Sequence, residues 1–203
     1  MATKTRMTYE DLMRQTDESV RHELVRGEIL CMTPPKGRHG RVEAALGEEV
    51  GLYLHERAVA LGWQKEQGRS QRDLLVGASA TGEFGIRITL PDDTDQVRGL
   101  DFCYLSPEQV ARYEAAGSDE YLREVPVLVA EVISPSESAD YIAEKVNDYL
   151  TGGACLVWLL FPRTRTVQIY QSDRSTRMVS GDARLEGGEV LPGFSAPLRS
   201  LFP

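Results

Sequence analysis

Two acidic residues stand where the sequence otherwise predicts buried strands. Asp101 lies within Gly99–Tyr104, and Glu131 lies within the apolar run Val127–Ile133. A buried carboxylate is costly unless a cation or hydrogen-bond donors offset its charge. If the two strands are neighbours, the carboxylates converge, and hard divalent cations bind converging carboxylate oxygens. We therefore expect Asp101 and Glu131 to hold a metal ion, with a structural ion pair as the alternative for Glu131.

Lys145 and Glu23 are further candidates for the same site. Lys145 borders the apolar stripe of a helix predicted from about residue 137 to residue 150. Its ammonium could face the carboxylates, where it would position a water or neutralise developing charge; alternatively, it reaches solvent above a buried stem. Glu23 precedes two apolar residues near the N-terminus, so it points either at the site or at solvent.

A compact basic segment lies close to the start of another predicted helix. It contains Lys36, Arg38, His39 and Arg41. Positive charge and the free amide groups of a helix N-terminus together favour binding of backbone phosphate, whereas a solvated loop is the alternative. His39 could also act as a base or as a metal ligand.

The pattern of apolar residues predicts the elements that position these side chains. Val127–Ile133 and Cys155–Phe161 are typical of central strands, and the helix between them predicts a crossover with parallel strands. Further strands are expected at 62–67, 70–76, 84–90 and 98–105, and helices from Thr8, over 40–60 and from Ser106 to about Gly117. Residues 1–203 are therefore predicted to form a single α/β domain, a mixed sheet flanked by helices.

The composition narrows the classes of function. The chain has 203 residues, of which 41% are hydrophobic and 27% charged, as in ordinary globular proteins. The sequence has no apolar run of the roughly 20 residues that span a bilayer, no N-terminal secretory segment, and three widely spaced cysteines, so we expect a cytoplasmic protein. The net charge of −8 argues against a module that binds nucleic acid through its overall charge. It argues less strongly against a metal-dependent enzyme, because a bound metal ion would offset part of the negative charge.

Segments along nearly the whole chain resemble a known pattern. They are Met7–Asp11, His22–Glu28, Met32–Pro35, His39, Leu100–Phe102, Val129–Ser136, Lys145 with Tyr149, Trp158 and Pro192–Phe194. In this combination and order, the chain resembles the Uma-type restriction endonucleases, a bacterial domain family of the PD-(D/E)xK nuclease superfamily. The resemblance implies a restriction-endonuclease-like fold.

The resemblance also implies a magnesium-dependent endonuclease that hydrolyses the phosphodiester bonds of DNA. Asp101, Glu131 and the backbone carbonyl of Val132 would bind Mg²⁺, for which Mn²⁺ could substitute, and Glu23 would be a further candidate ligand. The metal would lower the pKa of a bound water that attacks in line. Lys145 would replace the lysine usually found two residues after the second acid. A homodimer is expected only at the level of the family.

The chain departs from the family pattern at several positions. Leu100 replaces the proline before the first acid, Ile133 stands where the usual lysine would be, and Tyr141 replaces an aspartate four residues before Lys145. Both acids are intact, which favours metal binding. The missing lysine favours two alternatives: a catalytically degenerate nuclease fold that serves as a binding or scaffold protein, and a metal-dependent hydrolase of another phosphate ester.

Overall fold

The structure is a computed structural model that describes residues 6–14, 20–32, 37–90, 95–117 and 121–203. Its helices are α1 (Tyr9–Met13), α2 (Gly37–Ala60), α3 (Gly68–Val76), α4 (Pro107–Ala116), α5 (Ala139–Thr151) and α6 (Leu198–Leu201). Its strands are β1 (Arg21–Val25), β2 (Glu28–Met32), β3 (Ala78–Thr89), β4 (Asp95–Leu105), β5 (Leu128–Val132), β6 (Leu156–Phe161), β7 (Thr166–Gln171), β8 (Thr176–Val179), β9 (Arg184–Gly187) and β10 (Leu191–Pro197).

The first eight strands form one mixed sheet, and the last two form a separate hairpin. The order in the large sheet is β2-β1-β4-β5-β6-β7-β8, with β3 paired to β4. β5 and β6 are parallel and α5 connects them, as the two apolar runs predicted. Arg26 and Gly27 both adopt positive φ between β1 and β2, a combination that suits tight hairpins.

β4 organises the sheet, because both of its edges are paired. One edge pairs with β3 from Asp95 to Leu105. The other edge is shared, since β1 pairs with it at Val97 and β5 pairs with it from Phe102 to Tyr104. Asp101 therefore lies at a fork, between the part of β4 that pairs with β1 and the part that pairs with β5.

Two apolar cores cover the two faces of the sheet. One core joins α2 and the C-terminal hairpin to the face that carries Phe102, Ala130 and Trp158. The other core joins α4 and α5 to the face that carries Cys103 and Val129. The C-terminal segment packs on the sheet, since the Phe194 ring stacks on Trp158 with ring centroids 5.9 Å apart.

The strands predicted at 62–67 and 70–76 are wrong. Residues 65–67 form a 3₁₀ turn, and Gly68–Val76 form α3. Arg69 and Asp73 form an ion pair one helical turn apart, and of this helix only Val76 is buried. A short apolar run such as residues 74–76 does not distinguish a strand from the end of a helix.

Three other predictions need smaller corrections. α2 begins at Gly37, three residues before the predicted start, and β3 begins at Ala78 rather than at residue 84. β4 begins at Asp95 rather than at residue 98, and the Asp95 carboxylate accepts hydrogen bonds from Arg87 and Thr89. Residues 91–94 lie outside the described residues. Within the described ranges, no helix is both long and apolar enough to cross a membrane.

The three cysteines give a test of this fold. Cys31 and Cys155 are exposed, whereas Cys103 is buried and its burial raises the thiol pKa to about 12. We expect a thiol reagent at pH 8 to label two cysteines of the native protein and three of the unfolded protein, because the thiolate is the reactive form. Absorbance titration with a disulfide reagent measures this count, and labelling of Cys103 at the rate of the other two would contradict the fold.

Candidate metal centre

Asp101 uses both carboxylate oxygens at the fork in the sheet. Its Oδ2 accepts a hydrogen bond of 2.8 Å from the backbone N–H of Val132. The regular pairing of β4 with β5 ends at Phe102 and Ala130, so this N–H group lies beyond the paired part of the two strands. Its Oδ1 lies 3.1 Å from Nε2 of His39, in the first turns of α2. Asp101 is only 6% exposed, so these contacts fix its orientation.

Asp101 is held in its ionised form. Burial acts to raise the pKa of Asp101. Three neighbours outweigh burial and lower the pKa: His39 through its contact and its charge, Val132 through its N–H group, and Lys145 through its charge. A carboxylate that is negatively charged near neutral pH is the form that binds a metal ion.

Glu131 projects from β5 on the sheet face that α5 covers. Phe102 of β4 is paired with Ala130 of the antiparallel strand β5, so the next position along the pair places Glu131 opposite Asp101. Its Oε2 accepts a hydrogen bond of 2.7 Å from the Lys145 ammonium, and its Oε1 accepts one of 2.6 Å from the Tyr149 hydroxyl. Burial and the charge of Asp101 raise the Glu131 pKa to about 7, although Lys145 and Tyr149 act to lower it.

Lys145 is buried and does not reach solvent, because its side chain is about 5% exposed and its ammonium ends on Glu131. Burial alone would lower the Lys145 pKa, but Glu131 and Glu23 raise it above the ordinary value, so the ammonium remains charged. The predicted lysine from the helix therefore does reach the second acid.

Glu43 joins His39 and Asp101 in a cluster that the sequence did not predict. One ligand atom from each of these three side chains lies within 4.8 Å of the other two. Glu43 lies one helical turn after His39 on α2 and also accepts a hydrogen bond from the Gly82 N–H group. The spacing of His39 and Glu43 could have indicated that they share a site, because side chains four residues apart lie on one face of a helix.

The donor set fits a divalent cation. Two carboxylates and an imidazole converge at the fork, and oxygen and nitrogen donors of this kind bind Mg²⁺, Mn²⁺ and related ions. Glu131 lies opposite Asp101 but is not part of this cluster, since both of its oxygens face α5. The three side chains that converge at the fork are therefore Asp101, His39 and Glu43.

Glu23 is buried at the edge of the site, not in the cluster. Its Oε1 accepts a hydrogen bond of 3.1 Å from the Gly99 N–H, and its Oε2 accepts one of 3.3 Å from the Tyr141 hydroxyl. Arg21 and Arg98 lie 3.5 Å and 3.9 Å from its carboxylate. Glu23 thus contributes charge near Lys145 but has its oxygens in a separate network.

Asp148 anchors α5 to the sheet. The carboxylate is fully buried and bonds to two guanidinium groups, at 2.9 Å from Arg98 and 2.9 Å from Arg26. Arg98 is also fully buried and donates a second hydrogen bond to Gln96. Because Lys145 lies one turn before Asp148, this network fixes the helix that carries the lysine.

The predicted basic segment is only partly described. Lys36 lies outside the described residues. Arg38 and Arg41 are exposed in the first turns of α2 rather than in a loop, while His39 between them turns toward Asp101. The two arginines therefore face solvent on either side of His39 in the sequence.

Comparisons with known proteins identify the family and the fold of the chain. The family model described as "Uma2: Putative restriction endonuclease" matches residues 8–199. A solved structure described as a "putative nuclease belonging to DUF820", from Anabaena variabilis, aligns with a TM-score of 0.72 and 15% sequence identity over 97% of each chain. No curated protein matches the sequence. The chain thus shares the fold of this solved structure and belongs to the Uma2 family.

Proposed function

We propose that this protein is a divalent-metal-dependent endonuclease that hydrolyses DNA phosphodiester bonds. The observation that carries the proposal is the position of Asp101, at the fork between β1 and β5, within reach of His39 and Glu43 and opposite the Glu131–Lys145 pair. Membership of a nuclease family supports the same reaction class.

Asp101, Glu43 and Glu131 are the acids that would hold the metal, together with the Val132 carbonyl. Each oxygen of an ionised carboxylate has two lone pairs, so Glu131 can bind a cation without losing Lys145 or Tyr149. Glu23 is better assigned to orienting Tyr141 and the main chain at Gly99, because its oxygens already accept those hydrogen bonds. When bound, Mg²⁺ or Mn²⁺ would polarise the phosphodiester and make water a stronger nucleophile.

Lys145 would stabilise the negative charge that develops on the phosphoryl oxygens. Its ammonium is charged and buried, and in such surroundings a fixed cation acts more strongly than in water. Arg38 and Arg41 are exposed in the first turns of α2 and would contact the DNA backbone beside the cluster. Since the net charge is −8, DNA binding must depend on such a local contact. A homodimer would allow both strands to be cut.

One observation favours a second candidate, a degenerate nuclease fold that binds but does not cut. Ile133 occupies the position of the usual lysine, and the only ammonium at Glu131 among the described residues is bonded directly to the carboxylate. In that case the cluster would bind metal without turnover.

Cleavage of supercoiled plasmid tests the proposed function. We expect nicked and linear products with Mg²⁺ or Mn²⁺ and no product when a chelator is added in excess. A protein that binds metal by calorimetry but leaves the plasmid intact with every divalent ion would favour the degenerate scaffold.

The role of Lys145 gives a separate prediction. Lys145→Met should lower the cleavage rate about 10²–10³-fold at saturating metal, because removal of one donor that stabilises developing charge has that effect. Rates are measured at a temperature where circular dichroism shows the variant folded. Lys65→Met is the matched control on an exposed lysine and should cut at the wild-type rate. Equal rates for Lys145→Met and wild type would remove Lys145 from the mechanism.

A further inference from the structure

We propose that His39 is a metal ligand through Nε2, and that the centre consequently prefers a transition metal such as Mn²⁺ to Mg²⁺. This proposal rests on the metal centre assigned above and names the kind of ion that it takes.

The contact between His39 and Asp101 has the distance of a hydrogen bond but not its direction. Nε2 lies 3.1 Å from Oδ1 of Asp101, yet this buried nitrogen has no partner in hydrogen-bond geometry. An approach of this kind, without hydrogen-bond geometry, suits two ligands that share one cation. Glu43 supplies a ligand atom within the same 4.8 Å.

The His39 side chain differs from the neighbouring arginines in its exposure and orientation. Arg38 and Arg41 are exposed, whereas the His39 side chain is 20% exposed and turns inward. A histidine that contacts a phosphate on the protein surface would have the opposite orientation. The i, i+4 spacing of His39 and Glu43 directs both side chains from one face of α2 toward Asp101.

An imidazole ligand changes which ion the centre favours. Mg²⁺ prefers oxygen donors and near-octahedral geometry. Imidazole nitrogen suits transition metals better, and their affinity for mixed nitrogen and oxygen sites exceeds that of the hard alkaline-earth ions. A centre that adds one histidine to its carboxylates should therefore bind Mn²⁺ more tightly than Mg²⁺, with the histidine responsible for the difference.

Pulsed electron paramagnetic resonance on the Mn²⁺-loaded protein reads the ligand directly. We expect a ¹⁴N coupling to Mn²⁺ in the wild type and in His55→Gln, a matched control on an exposed histidine of the same helix. His39→Gln should lose the coupling. Calorimetric titration should show Mn²⁺ bound at least about 10-fold more tightly than Mg²⁺ in the wild type. In His39→Gln, Mn²⁺ affinity should fall about 10–100-fold and that of Mg²⁺ much less.

The outcomes separate this proposal from the endonuclease proposal. A ¹⁴N coupling in a protein that never cuts DNA would support His39 as a ligand and overturn the endonuclease. Bound Mn²⁺ without ¹⁴N coupling would overturn the role of His39, even if the protein cuts DNA. Failure to bind Mn²⁺, or equal preference for the two ions in wild type and His39→Gln, would also overturn it.

Discussion

Asp101→Asn is expected to lower metal-dependent DNA cleavage about 10³-fold or more, at the level of losses seen when a central catalytic group is removed. The amide has the shape of the carboxylate and can still accept the hydrogen bond from the Val132 N–H group, so the fork in the sheet should remain. It lacks the negative charge that a divalent cation requires. Initial rates of plasmid nicking, measured at several concentrations of Mn²⁺, give the effect.

The control for this change is Asp182→Asn, which makes the same substitution at an exposed position. It should cut at the wild-type rate. The melting temperature of metal-free Asp101→Asn should lie close to that of the wild type, which would separate loss of the site from loss of the fold. Undiminished cleavage by Asp101→Asn would show that the reaction occurs elsewhere.

Asp148→Ala is expected to destabilise the protein by about 3–5 kcal/mol, because it removes the closer of the two carboxylates at the buried Arg98 guanidinium and leaves only Glu23, at 3.9 Å. Arg26 loses its partner at the same time. For a chain of this length, such a loss corresponds to a melting temperature lower by about 6–20 °C. Urea unfolding followed by circular dichroism measures the free energy of unfolding.

Two variants control for this second prediction. Asp182→Ala, at an exposed position, should change the free energy of unfolding by less than about 0.5 kcal/mol. The double change Arg98→Met with Asp148→Leu should recover part of the loss, since an apolar pair of similar volume replaces a buried ion pair at little cost. A loss below about 1 kcal/mol in Asp148→Ala would mean that the ion pair does not anchor α5.

The candidate acids Asp101 and Glu131 could be singled out from the sequence because of their positions. Asp101 and Glu131 interrupt strand patterns, and a carboxylate within a buried strand is conspicuous. Glu43 and Asp148 escaped prediction because they lie on amphipathic helices, where a charged residue next to the apolar stripe is ordinarily solvent-exposed. Which of those charges turns inward depends on partners far away in sequence, such as Arg98 for Asp148.

The helices and strands also differ in whether the local sequence pattern is enough to predict them. The crossover over residues 127–161 follows from two long apolar runs and a helix between them, and local pattern is enough to predict it. α3 and the hairpin of β9 and β10 carry few apolar residues, so their structure depends on what they pack against. The fork at Asp101 is not visible in the sequence at all, because it arises when β1 and β5 share one edge of β4.

The most direct test of the metal centre is the anomalous diffraction of crystals soaked in Mn²⁺. We predict a peak at the fork, about 2 Å from the Asp101 carboxylate, and within bonding distance of Glu43 and His39. The peak should be absent from crystals of Asp101→Asn. A fully loaded crystal with manganese at another position and none beside Asp101 would contradict the account.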